Sequence, residues 1–512
     1  MTRPVATRPF HSLRHTKRVS TCLVAALAVM PLGPAGSWLP TPVRPAAAQI
    51  LPDLGDISQV SLSPIQEKKL GEEVMRQLRA SGQYLDDPEV NDYVNMLGHR
   101  LIAASTDVHT DFTFFAVNSP EINAFALPGG FVGVNVGLIL MTQNESELAS
   151  VFAHEITHVT QHHVARSIAA QKDSMLLSLA GLALAILAAR GGASSGDAAT
   201  AAIAGSRALA IQHEINFTRT QEAEADRIGF QRLVAAGFDP NAMATMLERL
   251  QRATRFAEGD VPAYLQDHPV TYERIAEAKA RAANVPYRQV PDSLDYDLVR
   301  ALLRSYQGSP REAVKYFDDA LAQRRYNNEV ATRYGLVAAL LRTHDKARMT
   351  SALAELEKIA PPHPMIDAIA GHILEETGHL AEAIDRFRNG VERYPNKMQM
   401  IYDYPDALLK AGRAAEAAKF VDRQIDHFPN DGPLQLIAAR AYAAMGKEML
   451  SHMHQAEYYA WQGNLKGAID QLQIASKDHD GDFYAASMVD SRLRQYKREA
   501  AEQTKPAFGR AG

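Results

Sequence analysis

Cysteine is nearly absent from this chain of 512 residues, which holds only Cys22. That excludes an internal disulfide framework and any zinc site built from two or more cysteines. A metal must therefore be held by imidazole and carboxylate, and 18 histidines leave that route open. A basic excess is missing too. The formal net charge is −5, so the chain has no overall electrostatic footprint for nucleic acid. Long apolar runs are also lacking: Cys22–Leu32 and residues 174–189 both fall short of the roughly 20 residues that cross a bilayer. With 46% apolar and 22% charged residues, the composition is neither that of a disordered chain nor that of a multi-span membrane protein. The length allows two to four domains with real cores.

Acid is absent from residues 1–48, which carry Arg3, Arg8, Arg14, Lys17, Arg18 and Arg44. The basic stretch, the apolar run Cys22–Leu32 and the small residues Ala46-Ala47-Ala48 form the three regions of a secretory signal peptide. An uncleaved anchor is the alternative reading. Removing 1–48 leaves an acidic chain of net charge −11 with no thiol, suited to an oxidising compartment. The expectation is export to a bacterial periplasm.

Residues 61–105 predict two helices, the first starting around Ser63-Pro64 and the second at Asp87-Pro88. Phe112–Val117 and Ala124–Val134 read as β-structure, with Pro128 and the paired glycines fitting an edge hairpin rather than a central strand. A helix starting at Asn144 is predicted to run to about Ala169. Residues 174–189 read as a buried helix, a flap over a cleft, or a peripheral membrane contact. From about Tyr296 the pattern becomes a repeat. Gly378, Gly412 and Gly446 are spaced by 34 residues, as are Ala383 and Ala417, and Pro395 and Pro429. Helix–turn–helix units of that length form a tetratricopeptide-like solenoid whose groove binds segments of other proteins.

His154-Glu155-Ile156-Thr157-His158 carries the chemistry. Histidines at i and i+4 on a helix face the same way and can reach one metal ion. Glu155 beside them can take a proton from a water whose pKa zinc lowers toward about 7. This is the HExxH arrangement of zinc peptidases. A third protein ligand is needed, and no third histidine follows at short spacing: position 164 is Val164. Carboxylates become the candidates. Glu222 and Asp226 share a face of a later predicted helix while Glu224 points away, which makes Glu222 the candidate ligand and Asp226 a support that fixes the tautomer of a ligand histidine. The same two acids would also suit a solvated face. His162 and His163 read as supporting or surface residues.

His154–His158 together with Glu222-x-x-Ala225-Asp226 resembles the M48 family of zinc peptidases, of the mini-gluzincin kind, and the resemblance selects Glu222 as the third ligand. The block Asn123-Ala124-Phe125 through Gly130 resembles that family's hairpin, whose edge adds the substrate backbone as a strand. His268-Pro269…Arg274 resembles a His-Pro-x4-Arg element of such peptidases. It suggests His268 as a removable fourth ligand that keeps the enzyme latent, and Arg274 as stabiliser of the oxyanion. A surface histidine capping a helix is the alternative for His268.

The fold expected is mainly α: a mini-gluzincin-type zinc peptidase domain with a small β-sheet over 60–285, then an α-solenoid of tetratricopeptide-like repeats over 296–495. The function expected is that of a periplasmic zinc metalloendopeptidase with one Zn2+ per chain. It would degrade misfolded or stalled envelope and outer-membrane proteins, with the repeats recruiting clients or assembly machinery and no role for nucleic acid. The alternatives are a chaperone or scaffold for outer-membrane assembly with a latent zinc site, and a membrane-anchored enzyme acting on membrane proteins.

Overall fold

In a computed structural model of the chain the described residues are 63–105, 110–170, 219–256, 263–478 and 480–503. The expected leader and the apolar stretch 174–189 lie outside them. Among the described residues no helix is long and apolar enough to cross a membrane.

Two capped helices come first. The Ser63 hydroxyl accepts from the Gln66 N–H and the Gln66 side chain accepts from the Ser63 N–H, a reciprocal cap that starts α1 (Pro64–Ala80). Asp87 caps α2 (Pro88–Ala103), which buries Val90, Tyr93, Val94, Leu97 and Leu101 along one face.

Three strands follow: β1 (Thr113–Val117), β2 (Ala124–Leu127) and β3 (Phe131–Asn135). Their order is β1-β3-β2, with β2 and β3 an antiparallel hairpin and β1 parallel to β3. The hairpin was expected wholly at an edge, but only β2 lies there. Pro128 sits in the turn, where it interrupts no ladder, and the fully buried Val132 and Val134 make β3 the central strand. The outer edge of β1 is closed by α2: the Asn95 amide exchanges bonds with the Phe114 backbone, and Asn91 accepts from the Ala116 N–H. That leaves β2 as the edge available for pairing among the described residues.

The short helix α3 (Val136–Met141) leads to α4 (Glu145–Thr160), capped by Asn144. The single helix expected as far as Ala169 is broken. His162 takes a left-handed conformation (φ 50°), and a separate helix, α5 (His163–Ala170), begins after it. Next come α6 (Arg219–Ala235), α7 (Ala242–Phe256), α8 (Ala263–Asp267) and α9 (Tyr272–Ala283). The helix α4 forms the centre of this half, with Leu148, Phe152 and Ile156 fully buried and Phe152 stacked on Phe114 of β1.

The remainder is helical in pairs: α10 (Leu294–Ser305) with α11 (Pro310–Ala322), α12 (Glu329–Leu341) with α13 (Lys346–Glu357), and α14 (Pro364–Thr377) with α15 (Leu380–Arg393). These continue as α16 (Met398–Lys410) with α17 (Ala414–His427), α18 (Gly432–Ala444) with α19 (Glu448–Trp461), and α20 (Leu465–Ala475) with α21 (Phe483–Gln503). The helices α14, α16 and α18 start 34 residues apart, which accounts for the glycine spacing. Gly378, Gly412 and Gly446 all adopt the left-handed conformation that ends the first helix of a pair. Ala383 and Ala417 are fully buried where helices meet.

The helical pairs as far as α14 share a core with the half built around α4. A single apolar cluster runs from Val90 of α2 to Ile373 of α14. Polar ties reinforce it: Ser293 donates to Glu145 at the start of α4, and Tyr334 to Glu89 of α2. Farther along the pairs, the Met398 N–H donates to Asp92.

Candidate metal centre

The site is built where α4 and α6 approach at backbone distance. A Cβ on Gly229 of α6 would lie 3.0 Å from the Ala153 carbonyl oxygen and 3.1 Å from the His154 nitrogen, so only glycine permits this spacing without a shift. Arg232, one turn on, donates to Thr157 Oγ1 at 2.7 Å and holds the two helices together. Glu222 and Asp226, one turn apart on α6, then face His154 and His158, one turn apart on α4.

Four buried residues bring donor atoms within 4.8 Å of one another: His154, His158, Glu222 and His268. His154 Nε2 lies 3.0 Å from His158 Nε2, 3.4 Å from His268 Nδ1 and 3.5 Å from Glu222 Oε2. Glu222 Oε1 lies 2.9 Å from His268 Nδ1 and 3.5 Å from His158 Nε2. A tetrahedral ion with bonds of about 2.0–2.1 Å sets its donors about 3.3 Å apart, and these five separations, from 2.9 to 3.5 Å, bracket that value. The imidazole and carboxylate donors thus fit a divalent cation in both chemistry and spacing. Glu155 is fully buried beside them, with Oε1 3.7 Å from His268 Nε2.

Asp226 lies 3.0 Å from His154 Nδ1, the ring nitrogen opposite the cluster, and so fixes the ring and its tautomer. Arg274 of α9 grips Asp226 through Nε at 2.7 Å and Nη2 at 2.8 Å, while Nη1 reaches Glu222 Oε2 at 2.7 Å and the Pro269 carbonyl at 2.9 Å. The guanidinium expected to face an oxyanion therefore faces two carboxylates, and it orders the cluster from behind. His268 is 3% exposed, which rules out the surface-histidine alternative. Its N–H donates to the Tyr264 carbonyl at 2.8 Å and its ring packs 4.7 Å from the Tyr264 ring.

The electrostatics favour positive charge here. Burial opposes protonation of His154, but its contacts with Asp226 and Glu222 outweigh that and lift it to about 10. Burial would raise Asp226, yet Arg274 and His154 hold it down at about 2. Glu222 is likewise kept well below the carboxylate range, against its burial, by His268 and His154. Burial and the neighbouring charge of His154 push His158 well down, leaving it a neutral imidazole.

The edge residues stand close by. Ala124 and Phe125 pair with Val134 and Gly133, and the Asn123 carbonyl accepts from the Asn135 N–H at 2.9 Å. The helix α4 packs against β2, and the Tyr264 N–H donates to the Ile122 carbonyl, tying the His268 segment to the start of that strand.

The sequence left His163 either supporting or at the surface and gave Glu224 no role in the site. His163 is buried, with Nδ1 2.9 Å from His158 Nδ1 and Nε2 3.1 Å from Glu224 Oε2. Glu224 points away from the cluster, as expected, but toward this contact, where Arg166 also holds it at 2.9 Å. The break at His162 turns His163 back onto His158, and a continuous helical pattern gives no sign of it.

The profile of Peptidase family M48 matches residues 88–282. Over 494 residues the chain is 34% identical to the Beta-barrel assembly-enhancing protease of Escherichia coli (strain K12), covering 96% of this chain and 98% of the relative. The chain belongs to peptidase family M48. A second relative, the Putative beta-barrel assembly-enhancing protease of Vibrio cholerae, is 35% identical over 463 residues, covering 89% of this chain and 94% of its own. The Mitochondrial metalloendopeptidase OMA1 of Schizosaccharomyces pombe matches only 36% of the chain, at 33% identity. This M48 peptidase is thus a metalloprotease, and its His/Glu cluster suits the divalent metal that such an enzyme uses.

Proposed function

We propose that this M48 peptidase is a periplasmic zinc metalloendopeptidase, exported by its segment 1–48, that degrades misfolded or stalled envelope and outer-membrane proteins. The observation that carries the reading is the buried four-donor cluster with Glu155 against it and the strand β2 beside it, which among the described residues pairs on one side only. His154, His158 and Glu222 would hold one zinc ion, which when bound would supply Lewis acidity toward a peptide carbonyl. The Glu155 carboxylate is the base that would accept a proton during attack and return it to the leaving amine. Asp226 and Arg274 keep His154 and Glu222 in place. Asn123, Ala124 and Phe125 present the edge to which an extended client adds as a strand, so exposed strands of unassembled β-barrels suit the cleft. Two relatives named for β-barrel assembly, similar over most of their length, support that client class. The helical pairs recruit clients or assembly machinery.

The test is Glu155→Gln, which keeps the shape of the side chain and removes the base. Digestion of an unfolded substrate should fall by at least about 100-fold with bound zinc retained. Digestion at the wild-type rate would refute a peptidase mechanism.

His268 favours a second reading. Its Nδ1 stands in the place of a fourth ligand, 2.9 Å from Glu222 Oε1, and a site with four protein ligands is closed to substrate. His268 is then a removable latch, and a chain that keeps it in place serves as a scaffold or chaperone. Casein digestion by His268→Ala above the wild-type rate supports the latch. Rescue of an envelope-assembly defect by Glu155→Gln, but not by a chain lacking 296–495, would favour the scaffold.

A further inference from the structure

A cavity of about 400 Å3 opens between α10, α11 and α12, with Leu140 of α3 on its wall. One face of α10 lines it with Asp297, Arg300, Ala301 and Arg304, and Arg325 approaches from the loop between α11 and α12. Arg324 adopts a left-handed conformation and the Arg325 N–H closes on the Ala320 carbonyl, which turns the chain and sets Arg325 at the cavity wall.

The charge around this cavity is unlike that of the helical pairs in general. Arg333, Arg348, Arg386, Arg393, Arg413 and Arg440 all pair with carboxylates. Among the described residues Arg300, Arg304 and Arg325 form no ion pair. Arg300 donates to the Leu140 carbonyl at 3.1 Å, and Asp292 and Asp297 feel its charge without reaching it. The Arg304 guanidinium rests 4.3 Å over the Tyr316 ring, a placement that leaves N–H groups at its edge for a further acceptor. Asp297, the only acid on the wall, already accepts from the Asn328 amide at 2.8 Å. Three positive charges thus surround a void with one occupied acid, and Arg300 and Arg304 stand one turn apart despite their repulsion.

We propose that this cavity is a binding site for carboxylate-rich segments of polypeptide, recognised by Arg304 and Arg325 with Arg300 behind them. Planar guanidinium groups match carboxylates edge to edge. The polar side chains of Asn327 and Thr332 on the same wall can bond to an extended backbone. The polypeptide as ligand rests on the recruiting role proposed above for the helical pairs, and binding is therefore measured apart from proteolysis.

The experiment uses the full-length protein and a short fluorescent oligoglutamate peptide, followed by anisotropy. Arg304→Gln with Arg325→Gln should weaken binding by at least about ten-fold, with an unchanged melting temperature because both side chains are exposed. Arg494→Gln with Arg498→Gln removes the same charge from α21 and should leave affinity within about two-fold. Equal losses in the two variants would reduce the effect to net charge and overturn the site. So would cavity-dependent binding of inorganic phosphate or of anionic vesicles with none of oligoglutamate. Hydrolysis of a short neutral peptide is followed in parallel. Failure to hydrolyse with binding intact counts against the peptidase reading alone, and hydrolysis without cavity-dependent binding counts against this one.

Discussion

His163 Nδ1 lies 2.9 Å from His158 Nδ1, on the side of the His158 ring that faces away from the metal cluster. One proton must sit between these two nitrogens, and the neighbours decide who carries it. His163 is neutral: burial drives it down to about 4 although Glu224 pulls the other way. Glu224 accepts from His163 Nε2, which leaves His163 Nδ1 as an acceptor. His158 therefore keeps its proton on Nδ1 and presents the lone pair of Nε2 to the cluster, the tautomer a metal ligand requires.

His163→Phe fills the same space without the acceptor. The affinity for a divalent ion should drop by about 10–100-fold, read by competition with a chelating dye, while the fold persists. An unchanged affinity would show that His158 is oriented by α4 alone.

The local patterns were the legible part. Caps at Ser63 and Asp87, the 34-residue glycine spacing and the paired face of Glu222 and Asp226 each depend on neighbours within a few residues or on a fixed period. What was hidden depends on contacts between distant segments. The central position of β3 follows from its parallel pairing with β1, and the turning of His163 follows from a left-handed residue that no helical pattern announces. The oxyanion expectation for Arg274 came from its position in a motif. Its carboxylate partners lie 48 and 52 residues away, on a helix whose approach depends on Gly229.

That approach gives a second prediction. Gly229→Ala sets a methyl group 3.0–3.1 Å from the backbone of Ala153 and His154, with no flexible side chain to yield. The helices must part by a few tenths of an ångström, which carries Glu222 and Asp226 away from the two histidines. Overpacking of this kind costs about 1–3 kcal/mol. Metal content after dialysis should fall along with the melting temperature. A stable variant with full metal content would show that the cluster tolerates the shift.

Arg274 separates two roles by measurement. Arg274→Gln leaves Asp226 and Glu222 buried without their shared cation, so the metal-depleted protein should lose about 3–5 kcal/mol of stability. A divalent ion added back supplies positive charge to the same carboxylates and should recover part of that loss. A residue acting on the oxyanion would behave otherwise, with kcat reduced and both metal affinity and stability intact. Calorimetry with and without Zn2+, beside kcat, decides between them.

The last prediction concerns the seam between α2 and the helical pairs. Asp92 accepts from the Met398 N–H at 3.0 Å at the start of α16. Burial raises its carboxyl from the usual 3.8 to about 6, with Asp431 and Asp87 adding to the rise and the Met398 N–H and Lys397 opposing it. The folded chain thus holds this proton more tightly than the unfolded chain. The stability Asp92 contributes is fully present below about pH 4 and is lost as the pH rises through about 6. Asp92→Asn keeps an acceptor for the Met398 N–H and removes the charge. Its melting temperature should match that of the wild type near pH 4 and exceed it at pH 7, by the equivalent of about 3 kcal/mol. Melting curves that stay parallel from pH 4 to 7 would show that the Asp92 charge does not strain the seam.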